Sequence, residues 1–135
     1  MNLQTVKKIM NKNPIVVHCQ TPLMEIIKTL LTSHQTQLPV VNNDNKLIGM
    51  VSLVDCQKAL LISGYHCDKP VTVNEIMAKT FTVLNENDDI SNIAIKTQEQ
   101  TENIFPIVNE GKLIGVLKRT DLIVHLQNNL SLCSS

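Results

Sequence analysis

The chain has 135 residues, 43% of them hydrophobic and 18% charged, with 12 basic and 12 acidic side chains and a formal net charge of zero. That composition can build a core, and it excludes intrinsic disorder and binding to nucleic acid by bulk positive charge. Aromatic residues are only 2% and there is no Trp, so no platform exists for stacking single-stranded bases.

No apolar run approaches the roughly 18 residues of a membrane span, and the start of the chain, MNLQTVKKIMNKNP, has no apolar core behind its basic residues. The expectation is therefore a cytoplasmic, non-membrane protein. Its four separated cysteines (Cys19, Cys56, Cys67, Cys133) are expected to be reduced thiols.

In chain order, Thr5 to Met10 reads as a short amphipathic helix and Ile15-Val16-Val17 as a β-branched strand. Leu23, Ile26, Ile27, Leu30 and Leu31 recur at helical spacing, with Thr21 as the expected cap and Pro22 as the first helical position. Strands follow at Leu38 to Val41 and Lys46 to Val51, joined by the turn Asn42-Asn43-Asp44-Asn45. A helix from about Leu53 to Ile62 comes next. Residues 63–72 read as a linker, with Gly64 and Pro70 as breakers. The pattern then starts again: a short helix at Asn74 to Ala78, a strand at Thr82-Val83-Leu84, and a helix opening at Asp88-Asp89 with Ile90, Ile93 and Ala94. The polar run from Thr97 to Asn103 is predicted to be an exposed helix end and loop. Two strands turn at Asn109-Glu110-Gly111, a helix runs from about Arg119 to Asn128, and a frayed tail occupies 129–135.

The chain is written twice. Shifted by 67 positions, Val6, Ile9, Met10 and Lys12 fall on Val73, Ile76, Met77 and Lys79, and Leu38-Pro39-Val40-Val41-Asn42 falls on Phe105-Pro106-Ile107-Val108-Asn109. One residue is lost at the shorter turn, after which Lys46-Leu47-Ile48-Gly49 falls on Lys112-Leu113-Ile114-Gly115 and Asp55 on Asp121. The repeats are placed at 1–62 and 73–128. A three-stranded sheet of this size cannot cover both its faces alone, so the copies are expected to share a core.

Leu38-Pro39-Val40-Val41, an Asn-rich turn, and Lys46-Leu47-Ile48-Gly49-Met50-Val51-Ser52-Leu53-Val54-Asp55 resemble a CBS domain, named for cystathionine β-synthase. Phe105-Pro106-Ile107-Val108 followed by Gly115-Val116-Leu117-Lys118-Arg119-Thr120-Asp121 resembles a second. A tandem pair of this kind is a Bateman module. The resemblance implies an α/β (α+β) fold: two pseudo-symmetric β-α-β-β-α repeats packed through their sheets, often dimerising into a flat disc. It also implies an inter-repeat cleft for adenosine-type ligands such as AMP, ADP, ATP or S-adenosylmethionine. With no catalytic or transport domain in the sequence, the expected function is a stand-alone regulatory module. It would signal to a separate, unidentified effector protein by changing the angle between its repeats. The alternative is an interaction scaffold whose cleft is vestigial and empty.

The family's ribose pattern is Gly, two residues, Ser or Thr, two residues, Asp. The first copy keeps it as Gly49, Ser52 and Asp55, and a carboxylate can accept from both ribose hydroxyls. Ser52-x-x-Asp55 before a helix is equally a capping-box signature. The second copy has Gly115, Lys118 and Asp121, with Arg119 beside them. Lys118 and Arg119 read either as solvated charges or as phosphate ligands, the latter favouring a phosphorylated adenosine over S-adenosylmethionine. By family position Ile15, Val40, Thr82 and Ile107 would contact the base; Ile15, Val40 and Ile107 read equally as core.

His18-Cys19 and His66-Cys67 lack metal-ligand spacing, so no metal is expected. No nucleophile with an activating partner is visible, and no enzyme is expected. The first 67 residues carry 6 basic and 3 acidic side chains and the last 68 carry 6 and 9. That split suits antiparallel self-association as a homodimer.

Overall fold

The computed structural model describes residues 4–63 and 70–134; Gly64, Tyr65, His66 and Cys67, and with them most of the expected linker, lie outside the described residues. The described chain begins with a 3₁₀ turn at Val6–Lys8, shorter than the expected helix, and proceeds to a strand β1 at Val17–His18. Helix α1 (Leu23–Ser33) buries Leu23, Ile26 and Leu30 along one face. It stops at His34, whose left-handed backbone (φ 57°) turns the chain so that its N–H meets the carbonyls of Leu30 and Leu31. Pro22 is the N-cap rather than the first helical residue, because its extended ψ of 150° keeps it outside the helix. The Thr21 hydroxyl does not cap the helix; it donates back to the His18 carbonyl at 2.6 Å.

β1 runs parallel to β2 (Gln37–Val41), with α1 as the crossover, and β2 runs antiparallel to β3 (Leu47–Ser52). Leu38 to Val41 are all buried, as expected of a central strand covered on both faces. The connecting turn is held by Asn42, whose Oδ1 accepts from the N–H groups of Asp44 (2.9 Å) and Lys46 (3.0 Å). Helix α2 (Leu53–Ser63) leaves β3 directly. Its Cys56 and Ala59 join Val17, Leu23, Ile26, Leu30, Leu38, Val40 and Val51 in one core.

The second copy repeats the plan. After a short helix α3 (Val73–Ile76) come α4 (Ile90–Thr97), the hairpin strands β4 (Ile104–Asn109) and β5 (Lys112–Lys118), and α5 (Arg119–Ser134). The expected strand at Thr82 to Leu84 contracts to one parallel bridge, Leu84 to Ile107. Thr97 is fully buried, not exposed, and its hydroxyl donates to the Ile93 carbonyl at 2.8 Å. α5 continues through Ser134, into the segment expected as the tail.

The folding units do not coincide with the sequence repeats. One unit consists of Ile15–Phe81 with Gly111–Leu113; the other of Met1–Pro14, Thr82–Glu110 and Ile114–Ser135. The opening segments have changed places. Ala78 pairs with Met50 through N–H···O bonds of 2.8 and 3.0 Å, so α3 and its extension complete the first-repeat sheet. Asn11 pairs with Val116 at 2.9 and 3.0 Å, so the N-terminal segment completes the second. Val73 is buried in the first unit's core and Val6 in the second, beside Leu84, Ile90, Ile93, Phe105, Ile107, Leu117 and Leu122. Residues 71–73 are also bound rather than free: the Leu23 N–H donates to the Val71 carbonyl, and the Val73 N–H to that of Thr21.

Candidate functional site

Both candidate sites lie where a strand runs straight into a helix, β3 into α2 and β5 into α5. At the first junction the Ser52 N–H donates to Asp55 Oδ2 at 2.9 Å, and the Asp55 N–H donates to Ser52 Oγ at 3.1 Å. This is a closed capping box, so both side chains have a structural task. Asp55 Oδ1 has no partner among the described residues. Gly49 lies under the exchanged segment. A Cβ there would sit 2.5 Å from Met77 Sδ and 3.0 Å from the Ala78 carbonyl, so its missing side chain admits a neighbouring strand rather than a ligand. Val40 is wholly buried core, and its side chain is no ligand wall. Ile15, by contrast, is not core: it is 46% exposed.

At the second junction no box closes. Lys118 offers no hydroxyl, and the Asp121 carboxylate accepts no hydrogen bond among the described residues, although it is half-buried. Gly115 repeats the packing of Gly49: a Cβ there would lie 2.7 Å from the Asn11 carbonyl. Ile107 is wholly buried. Thr82 is occupied, its hydroxyl donating to Gln100 Oε1 at 2.8 Å. The largest correction concerns Arg119. Its Nη2 donates to the carbonyls of Glu102 (2.6 Å), Gln100 (2.9 Å) and Thr97 (3.3 Å), its Nε to Glu102 (3.1 Å), and the group lies 5.3 Å from the Phe105 ring centre. Arg119 ties the loop after α4 to the start of α5 and is not aimed at a phosphate.

Beside Asp121 the second-repeat unit has a cavity of about 320 Å³, lined by Ile9, Met10, Asn11, Asp121, Val124, His125 and Asn128. Asp121, Val124, His125 and Asn128 are spaced i, i+3, i+4 and i+7, one face of α5. The opposite wall is the exchanged N-terminal segment.

The CBS domain model matches residues 6–62 and again 73–128, most of the chain. The chain belongs to the CBS domain family. Its two matches make it a tandem CBS pair. A CBS domain pair solved in complex with 5′-methylthioadenosine and S-adenosyl-L-methionine is 26% identical to it (TM-score 0.77, covering 95% of this chain and 99% of that one). Another CBS structure, CBSX2 in complex with AMP, is 26% identical (TM-score 0.79, covering 93% and 98%). Among curated relatives, the L-aspartate semialdehyde sulfurtransferase of Methanocaldococcus jannaschii is 28% identical over 118 residues, 87% of this chain. The chain spans only 22% of that relative's length.

Within this CBS pair, the sequence pattern pointed to Asp121 but missed His125, Asn128 and Asn11. The signal for the first two was available in the helical spacing from Asp121. Asn11 was not legible, because it reaches the site through the exchange of opening segments. Titration adds one feature in the first-repeat unit. Burial, and then the neighbouring Asp55 carboxylate, raise the Cys56 thiol above its ordinary value. Among the described residues, no group of three His, Cys, Asp or Glu is placed to hold a metal ion, and no helix is long and apolar enough to cross a membrane.

Proposed function

We propose that this CBS pair is a regulatory module that binds an adenosine-type small molecule and passes the signal to a separate partner protein. The observation that carries this reading is Asp121. It is half-buried, has no hydrogen-bond partner among the described residues, stands where the family pattern places the ribose carboxylate, and edges a cavity with three apolar and three further polar side chains. Convergent polar groups set beside apolar side chains in one concavity are what a small-molecule site needs for orientation and contact. The adenosine class is supported by the two related pairs solved with AMP and with S-adenosylmethionine and methylthioadenosine. A ligand regulates only by binding one state of the module more tightly than another. Isothermal titration with AMP, ADP, ATP, S-adenosylmethionine and methylthioadenosine tests the reading; binding by none of them below about millimolar overturns it.

A second reading, an interaction scaffold that binds no nucleotide, is favoured by the closed Ser52–Asp55 box and by the exposed apolar helix faces. Met24 and Leu31 on α1 and Val54, Leu60, Leu61 and Ile62 on α2 are all exposed. Such faces support self-association, and the homodimer is part of both readings. The scaffold predicts a dimer whose melting temperature ignores every nucleotide.

A further inference from the structure

We propose that the cavity beside Asp121 selects an uncharged or cationic nucleoside and discriminates against phosphorylated ones. This rests on the reading of Asp121 as a ligand carboxylate and gives the ligand's charge. Among the described residues, the cavity wall holds one carboxylate and no lysine or arginine. Lys8 and Lys12 flank the wall segment Ile9 to Asn11 but are exposed and do not line the cavity, and Arg119, the cation nearest Asp121 in sequence, spends its guanidinium on three backbone carbonyls and the Phe105 ring. Lys118 does not line the cavity. The N-terminus of α5 does not compensate. The Arg119 N–H donates to the Asn103 carbonyl at 2.8 Å, and Asp121 places a negative charge in the first turn, where it offsets the positive end of the helix dipole. A phosphate brought here meets a like charge with no counter-ion in the wall.

The remaining groups suit a neutral ligand. Asn129 Nδ2 lies 3.3 Å from His125 Nε2, one turn along the same helix. Asn11 and Asn128 supply uncharged donors and acceptors, His125 a ring nitrogen, Asp121 accepts from a diol, and Ile9, Met10 and Val124 face a base or thioether. The volume of about 320 Å³ is at the small end for ligand pockets and matches a nucleoside better than a nucleoside triphosphate.

The test is isothermal titration of the full chain near pH 7.5 with adenosine, methylthioadenosine, S-adenosylmethionine, AMP and ATP. The tightest of the first three should bind about tenfold or more tighter than AMP, the cost of one poorly screened like-charge contact. AMP binding as tightly as the best nucleoside overturns the inference but leaves the adenosine reading standing; no binding by any of the five overturns both. Asp121→Asn removes the charge at constant shape. It should weaken nucleoside binding and narrow the gap to AMP, whereas an unchanged ratio defeats the charge filter. His125→Ala, checked for folding by its thermal melt, should weaken methylthioadenosine several-fold; an unchanged affinity removes His125 from the site and overturns its part in the inference.

Discussion

Ser52–Asp55 and Lys118–Asp121 hold matching places at the two strand-to-helix junctions, yet they do different work. In the first, the aspartate is drawn into a reciprocal cap. In the second, with no hydroxyl at position 118, Asp121 has no hydrogen-bond partner among the described residues and stands beside a cavity. The helix start is secured instead by Arg119, which reaches back to the loop before β4. Fastening and binding are thus combined at one junction and divided between two residues at the other. Intact family spacing marks the more occupied carboxylate, and broken spacing the more available one.

The two glycines break this symmetry most strongly. Gly115→Ala drives a Cβ to 2.7 Å from the Asn11 backbone carbonyl, which cannot rotate away. Gly49→Ala chiefly meets the end of the Met77 side chain, which can move. Urea unfolding should show a loss of about 3 kcal/mol for Gly115→Ala and about 1 kcal/mol for Gly49→Ala. Equal losses would mean that the two exchanged segments are held alike. Next comes Arg119→Ala, expected to cost about 2 kcal/mol by releasing three carbonyls and the Phe105 ring, against about 1 kcal/mol for Leu53→Ala at the matching position.

The caps sharpen the comparison further. Ser52→Ala should cost about 1 kcal/mol and Lys118→Ala less than about 0.5 kcal/mol. Lys118→Ser is the more telling variant: it offers Asp121 the missing hydroxyl. It should raise the melting temperature slightly and weaken ligand binding, because Asp121 is then engaged; unchanged affinity would show that a box and a ligand do not compete. The smallest effect is kinetic. Since burial raises the Cys56 thiol, less thiolate is present at any pH below that raised value, and Cys56 should be alkylated more slowly at pH 8 than the half-buried Cys19. Peptide mapping after timed alkylation reads the two rates.

The repeat, the strand and helix types, the turn at Asn42 and the loss of one residue at Asn109-Glu110-Gly111 were all legible, since they follow from spacing and local chemistry within a few residues. Element lengths were less so. Thr82 to Leu84 has the composition of a strand, but Thr82 is occupied by Gln100 and only Leu84 finds a strand partner. Among the site residues, Asp121 was legible as a ligand carboxylate and Asp55 with two rival roles. Spacing could not choose between cap and ligand, because both need the same residue types three apart.

The sequence by itself determined that two similar half-domains of the CBS kind would form, because hydrophobic period and turn residues are written locally and twice. Only the tertiary structure decided which opening segment completes which sheet, since Val6 and Val73 are equally apolar and either could fill either core by composition alone. It alone decided that Arg119 is a tie and Asp121 is open. Where a guanidinium finds its acceptors depends on carbonyls 17 to 22 residues away in the chain, a distance that no local pattern encodes.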